Sequence, residues 1–175
     1  MVIIFLLYRL MDLIIIYTDG AVPNNQSKTL KKGGVGVFFG LNDTRNISFS
    51  IKENSQTKVT NQVCELLACI KAIETVITTE KIGKKTIEIK TDSMYIVNTI
   101  NSWANKWEKS NWKKSDGKNI QNELLVKKLY YLASNIKIKF THVKAHTKEP
   151  KKDSKNYDDW YGNHMADKLA VEATK

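Results

Sequence analysis

The chain has 175 residues, enough for one domain with a sizeable core, and its 42% hydrophobic content is ordinary for a soluble globular protein. Lys and Arg outnumber Asp and Glu by 28 to 18, a formal net charge of +10 carried almost wholly by lysine. Such a field favours a polyanionic partner, nucleic acid before an anionic membrane, although excess lysine also serves solubility alone.

Residues 1–11, "MVIIFLLYRLM", read as an N-terminal extension ahead of a single domain over 12–175. No basic segment precedes the apolar run and no A-x-A site follows, so it is not expected to be a signal peptide. Arg9 and Asp12 break it well short of the roughly 20 apolar residues that a membrane span needs, and no membrane association is expected. Residues 13–18 predict a strand. "GGVGVFFG" and "NISFSIK", joined by the turn-like "LNDTR", predict two more strands of a meander. A helix follows through about Ile77, with Thr60 as its N-cap. On it Cys64 and Cys69 point roughly 140° apart, so they are not expected to pair. A reducing intracellular compartment, cytoplasmic or nuclear, fits them best. "KTIEIKT" predicts a strand running into the helical "DSMYIVNTI". After the segment "NSWANKWEKSNWKKSDGKN" come a helix "IQNELLVKKLYYLA", an alternating strand "IKIKFTHV", a polar loop from Lys144 to about Asp159, and a last helix "WYGNHMADKLAVEA". The order β-β-β-α-β-α-α-β-α predicts an α/β protein: a mixed five-stranded sheet, three antiparallel strands and then parallel αβ units, flanked by helices.

Asp19 and Asp92 fall at the carboxyl ends of two predicted strands, where sites in open α/β sheets gather. Taken singly, Asp19 could begin a turn before Gly20 and Asp92 could cap the next helix. Glu65 is harder to set aside, because from Val63 to Ile73 only Glu65 and Lys71 interrupt an apolar helix. A carboxylate on a buried helix needs a cation, a metal or a proton. Asp167, on the last helix, lies off the packing stripe of Met165, Leu169 and Ala173 and alone would pass for a surface charge. Four hard oxygen donors on two strand ends and two helices are what Mg²⁺ selects, with open positions for substrate phosphate. A two-ion carboxylate site of this kind performs phosphodiester hydrolysis.

Among the histidines, His142 shares a strand face with Ile136, Ile138 and Phe140 and is expected to be packed and structural. His146 lies beyond the strand in a loop, free to move over a site, and His164 reads as a surface or supporting residue. Trp103, Trp107 and Trp112 are interleaved with Lys106, Lys109, Lys113 and Lys114, a mixture suited to nucleic-acid backbone and sugar, or else an amphipathic helix whose tryptophans pack inward.

"YTDGA", "TNQVCELLA", "TDSMYI", "VKAH" and "GNHMADKLA", in that order and spacing over residues 13–173, strongly resemble type 1 ribonuclease H. The resemblance implies the ribonuclease H-like fold with a Trp/Lys-rich basic protrusion. It also implies cleavage of the RNA strand of RNA/DNA hybrids with two Mg²⁺ ions, Mn²⁺ being an alternative, to leave 3′-hydroxyl and 5′-phosphate ends. It makes Asp19, Glu65, Asp92 and Asp167 the metal-binding carboxylates and His146 the mobile histidine that assists proton transfer or product departure. It further implies that Lys58, Thr60 and Asn122 form a phosphate pocket, with Lys58 where an arginine can occur, and that Asn25, Asn61, Gln62 and Met94 contact the minor groove of the hybrid. Trp103, Trp107 and Ser115 would line a channel for the DNA strand. A monomer is expected, and no protein partner is inferred. Two departures stand out: the stretch between His146 and Asp167 is about twice the length of that in shorter family members, and no separate N-terminal hybrid-binding domain is recognised. Two other readings are carried, a DNA-processing nuclease of the same superfamily and a non-catalytic hybrid-binding module.

Overall fold

The computed structural model describes residues 13–23, 31–55, 58–83 and 85–175. The expected sheet is present, with strands β1 (Leu13–Ala21), β2 (Lys32–Phe38), β3 (Ile47–Lys52), β4 (Thr86–Thr91) and β5 (Ile138–His142) in the spatial order β3-β2-β1-β4-β5. β1 pairs antiparallel with β2 and β2 with β3, while β4 runs parallel to β1 and to β5. The expected extension over residues 1–11 lies outside the described residues.

The helices are α1 (Asn61–Thr79), α2 (Met94–Asn98), α3 (Ala104–Lys109), α4 (Glu123–Ser134) and α5 (Tyr157–Ala173). A π-helical turn, Thr99–Trp103, joins α2 to α3. None of the described helices is long and apolar enough to cross a membrane. α1 begins where the sequence places its cap, with the Thr60 hydroxyl accepting from Val63 N at 3.2 Å.

β1 and β4 are apolar without strict alternation because both faces of the central sheet are covered. On one face Ile16, Val35, Val37, Ile87 and Ile89 are buried with Leu66, Ile70 and Ile73 of α1. On the other, Tyr17 and Phe38 pack with Ala166 of α5. The edge strand β3 alternates between half-buried Ile47, Phe49 and Ile51 and exposed Ser48, Ser50 and Lys52. α5 sits close on β2 because Gly34 and Gly36 carry no side chains: an added Cβ would come within 1.8 Å of the Ala170 carbonyl oxygen or 2.1 Å of that of Ala166. Cys64 and Cys69 are buried and unpaired, as expected.

Two sequence readings change. Trp112 does not stand with Trp103 and Trp107 as a surface residue. It is 4% exposed and edge-packed on Tyr130 and Tyr131 of α4, with Lys127 Nζ 5.3 Å from its ring centroid. His142 is exposed at the end of β5 rather than packed, because burial on that strand face ends with Phe140.

These positions separate the tryptophans by stability. Trp112→Ala should cost about 3 kcal/mol or more by emptying an aromatic site in the core, whereas Trp103→Ala, 37% exposed, should cost under about 1 kcal/mol. Urea denaturation of both variants measures the difference.

Candidate active site

Strand pairing builds the first half of the site. β1 and β4 run parallel with Thr18 opposite Thr91, so Asp19 and Asp92, the next residue on each chain, lie side by side at the carboxyl edge of the sheet. The turn and cap alternatives both fall away: β1 continues two residues past Asp19 to Ala21, and α2 is capped by Ser93, whose hydroxyl accepts from Ile96 N.

Alternation along β1 then distributes the neighbours. Asp19 shares the face of Ile15 and Tyr17, toward α5, and Gly20 faces the start of α1. A Cβ at Gly20 would stand 2.4 Å from the backbone nitrogen of Glu65, so the missing side chain is what lets α1 bring Glu65 over the end of the sheet. Asp167 comes from α5. The four carboxylates and His146 line one open cleft of about 380 Å³ together with Asn61. His146 sits in the loop after β5, exposed, with a left-handed φ of 49°.

The cluster is electrostatically costly. Asp19 is only 8% exposed, and burial first, then the charge of Asp92 and more weakly those of Asp167 and Glu65, pushes its carboxyl up to about 8 against partial relief from the Gly20 N–H. Burial likewise raises Glu65, opposed by a hydrogen bond from the Ser93 hydroxyl to Glu65 Oε2 at 2.6 Å. Among the described residues, no three His, Cys, Asp or Glu side chains close into a ready-made ion cage.

Two supporting residues were not read from the sequence. Ser93 both caps α2 and binds Glu65. Asn163 Nδ2 donates to Asp92 Oδ2 at 3.3 Å from a position 5% exposed. Their signals were present: Ser93 follows the carboxylate directly, and Asn163 lies one turn before Asp167 on the same helix face. One turn earlier again, Asp159 accepts from Lys90 Nζ at 2.5 Å and from the Tyr17 hydroxyl at 3.0 Å, which ties the start of α5 to β1 and β4.

The remaining sequence candidates spread outward from the cleft. Met94 is 48% exposed at the start of α2. Trp103 stands 5.7 Å from Trp107 and 6.4 Å from Tyr95, centroid to centroid. Asn122 has a left-handed φ of 55°, and its buried side-chain Nδ2 lies by the Tyr95 hydroxyl. Lys58 and Ser115 are exposed, Gln62 is half-buried, and Thr60 spends its hydroxyl on the cap. None of these eight lines the carboxylate cleft. Asn25 lies outside the described residues.

Comparison with known proteins bears on the family and the fold. The RNase H family model matches residues 11–175. Ribonuclease H1 of Homo sapiens is 32% identical over 164 residues, 94% of this chain and 51% of that protein. Ribonuclease HI of Rickettsia conorii is 34% identical over 161 residues, 91% of this chain and 89% of that one. The chain spans about half the length of the human and rodent relatives. Among solved structures, LC9-RNase H1, described as a type 1 RNase H with the type 2 active-site motif, superposes with a TM-score of 0.67 at 24% identity, covering 93% of this chain and 72% of that one. The foamy viral protease-reverse transcriptase in complex with dsDNA gives 0.66 at 20% identity, covering 91% and 92%. These two likenesses speak to the fold.

The raised Asp19 carboxyl carries a signed consequence for stability. Its folded value, about 8, lies above the ordinary 3.8. The stability it contributes is therefore full below the ordinary value and is lost as pH rises through the folded one. In EDTA, the melting temperature of Asp19→Asn relative to wild type should climb steadily across that interval. Thermal unfolding at a series of pH values reads this directly, and a difference that does not vary with pH contradicts it.

Proposed function

The chain belongs to the ribonuclease H family, and from that premise we propose that it hydrolyses the RNA strand of RNA/DNA hybrids endonucleolytically, leaving 3′-hydroxyl and 5′-phosphate ends. The observation that carries the reading is the convergence of Asp19, Glu65, Asp92 and Asp167 from four separate elements into one open cleft, with Asp19 held against its own ionisation. Such a cluster is a poor structural device and a good cation site.

In this reading the four carboxylates hold two Mg²⁺ ions, or Mn²⁺ in their place. Two such ions supply Lewis acidity toward the attacking water and the leaving oxygen. The protein's own groups do the rest. Ser93 fixes the rotamer of Glu65, and Asn163 that of Asp92. His146, at the cleft wall on a loop, is placed to move a proton at the leaving oxygen. Lys58, Thr60 and Asn122 form a phosphate pocket. Asn25, Asn61, Gln62 and Met94 read the minor groove, where 2′-hydroxyls distinguish RNA from DNA. Trp103, Trp107 and Ser115 guide the DNA strand along the protrusion. The protein acts as a monomer in a reducing compartment, in keeping with its two unpaired cysteines.

Labelled RNA/DNA hybrid, duplex DNA and duplex RNA, each incubated with Mg²⁺ or EDTA, test the reading. Cutting confined to the hybrid and to Mg²⁺ is expected. Cleavage of duplex DNA in preference to hybrid would point to the DNA-processing alternative, and binding without cutting to a non-catalytic module. Asp92→Asn should abolish cleavage while hybrid binding survives. Ser93→Ala and Asn163→Ala, which leave all four carboxylates in place, should each lower activity or metal affinity roughly ten- to a hundredfold, measured as initial rates over a Mg²⁺ titration.

A further inference from the structure

The loop between His146 and the body of α5 takes no part in the carboxylate chemistry, yet it is built onto the helix rather than left loose. Trp160 Nε1 donates to the Thr147 carbonyl at 3.1 Å, and the Trp160 ring lies on His164 with centroids 5.2 Å apart and planes within 4° of parallel. A cavity of about 440 Å³ opens beneath the loop, with Lys144, Thr147, Lys148, Asn156, Asp159 and Trp160 in its wall. A smaller cavity of about 90 Å³ shares Lys144, Thr147 and Trp160 with it and reaches His146 and Asp167, which also line the carboxylate cleft. Through these shared residues the three spaces adjoin one another as an interrupted groove, from the carboxylates past the Trp160–Thr147 contact to Lys148.

Away from the carboxylate cleft, the cavity under the loop carries Lys144 and Lys148 in its wall, and the carboxylate there, Asp159, is already engaged by Lys90 and the Tyr17 hydroxyl. Residues 144–155 carry Lys144, Lys148, Lys151, Lys152 and Lys155 against Glu149 and Asp153. All five lysines are exposed, and none forms an ion pair among the described residues. Trp160 is occupied by His164 and Tyr157, so the groove offers charge rather than a free stacking face. Charge without a stacking face selects phosphates over bases.

We infer that this groove is an additional substrate track, which holds the phosphodiester backbone of the cleaved strand where that strand leaves the carboxylates. The inference rests on the hybrid-nuclease reading above. The strand is specified by continuity: a phosphate seated among the carboxylates belongs to the strand that is cut, and the groove begins there. The long loop is thus a binding element that lengthens the enzyme's grip on one side of the cleavage point.

The test uses Lys144→Ala/Lys148→Ala beside a control of equal charge, Lys81→Ala/Lys137→Ala, whose exposed lysines lie at the opposite end of the sheet. Binding is measured in EDTA by fluorescence anisotropy over a range of salt, with hybrids extended by roughly ten base pairs, one helical turn, to one side or the other of the cleavage region. Loss of two phosphate contacts should make the slope of log Kd against log salt shallower by about 1.8. Affinity should fall several-fold for the hybrid extended on one side and much less for the other. The control pair should keep the wild-type slope. An unchanged slope in Lys144→Ala/Lys148→Ala, or an equal change in the control, overturns the inference while wild-type cutting of hybrid still stands. Failure of the wild type to cut hybrid in Mg²⁺ overturns the parent reading and this one with it.

Discussion

Parallel pairing of β1 with β4, in a register that puts Thr18 beside Thr91, brings two carboxylates to the same edge of the sheet before any helix is added. Everything else in the site depends on that pairing. Asp19 and Asp92 are each the next residue after the paired threonines, so a slip of one position would turn one carboxylate to the wrong face of the sheet. The register is secured from beneath by Ile16, Ile87 and Ile89, all fully buried. The helices then complete the set from opposite faces, α1 bringing Glu65 across the bare backbone of Gly20 and α5 bringing Asp167 across the bare backbone of Gly34 and Gly36.

The cost of this arrangement is concentrated in one place. Asp19 is buried among three other carboxylates, and together burial and their charges push its carboxyl up to about 8. A rigid surround is what holds such a cluster together. Part of that surround is a ladder on α5 spaced four residues apart: Asp159 tied to Lys90 and Tyr17, Asn163 bonded to Asp92, and Asp167 in the cleft. One end of the helix is thereby anchored to the two strands that carry the other carboxylates, and the position of Asp167 follows from the helical repeat.

Much of this was legible in the sequence because it depends on local pattern. The apolar runs ending in Asp19 and Asp92, the apolar helix interrupted by Glu65, and the Thr60 cap all survive in the structure, as does the mixed five-stranded sheet. What was not legible depends on partners distant in the chain. Trp112 differs from Trp103 only because Tyr130 and Tyr131 of α4 cover it. His142 continues the alternation of β5 but lies beyond the reach of the core. The π-helical turn over Thr99–Trp103 and the left-handed residues at Asn122 and His146 carry no Gly or Pro to announce them. Ser93 and Asn163 were unremarkable as letters, and only the fold shows which carboxylate each one holds.

The cation-site proposal turns on Asp19, whose carboxyl burial and the neighbouring charges push up to about 8 and which a divalent cation should ionise near neutral pH. Carbon-13 NMR of the aspartate and glutamate carboxyls measures this most directly, with EDTA and then with Mg²⁺ added at pH 7. A largely protonated Asp19 signal is expected without metal, shifting to the carboxylate form as Mg²⁺ is titrated in. An Asp19 signal already fully ionised in EDTA, or one indifferent to Mg²⁺, would contradict the proposal.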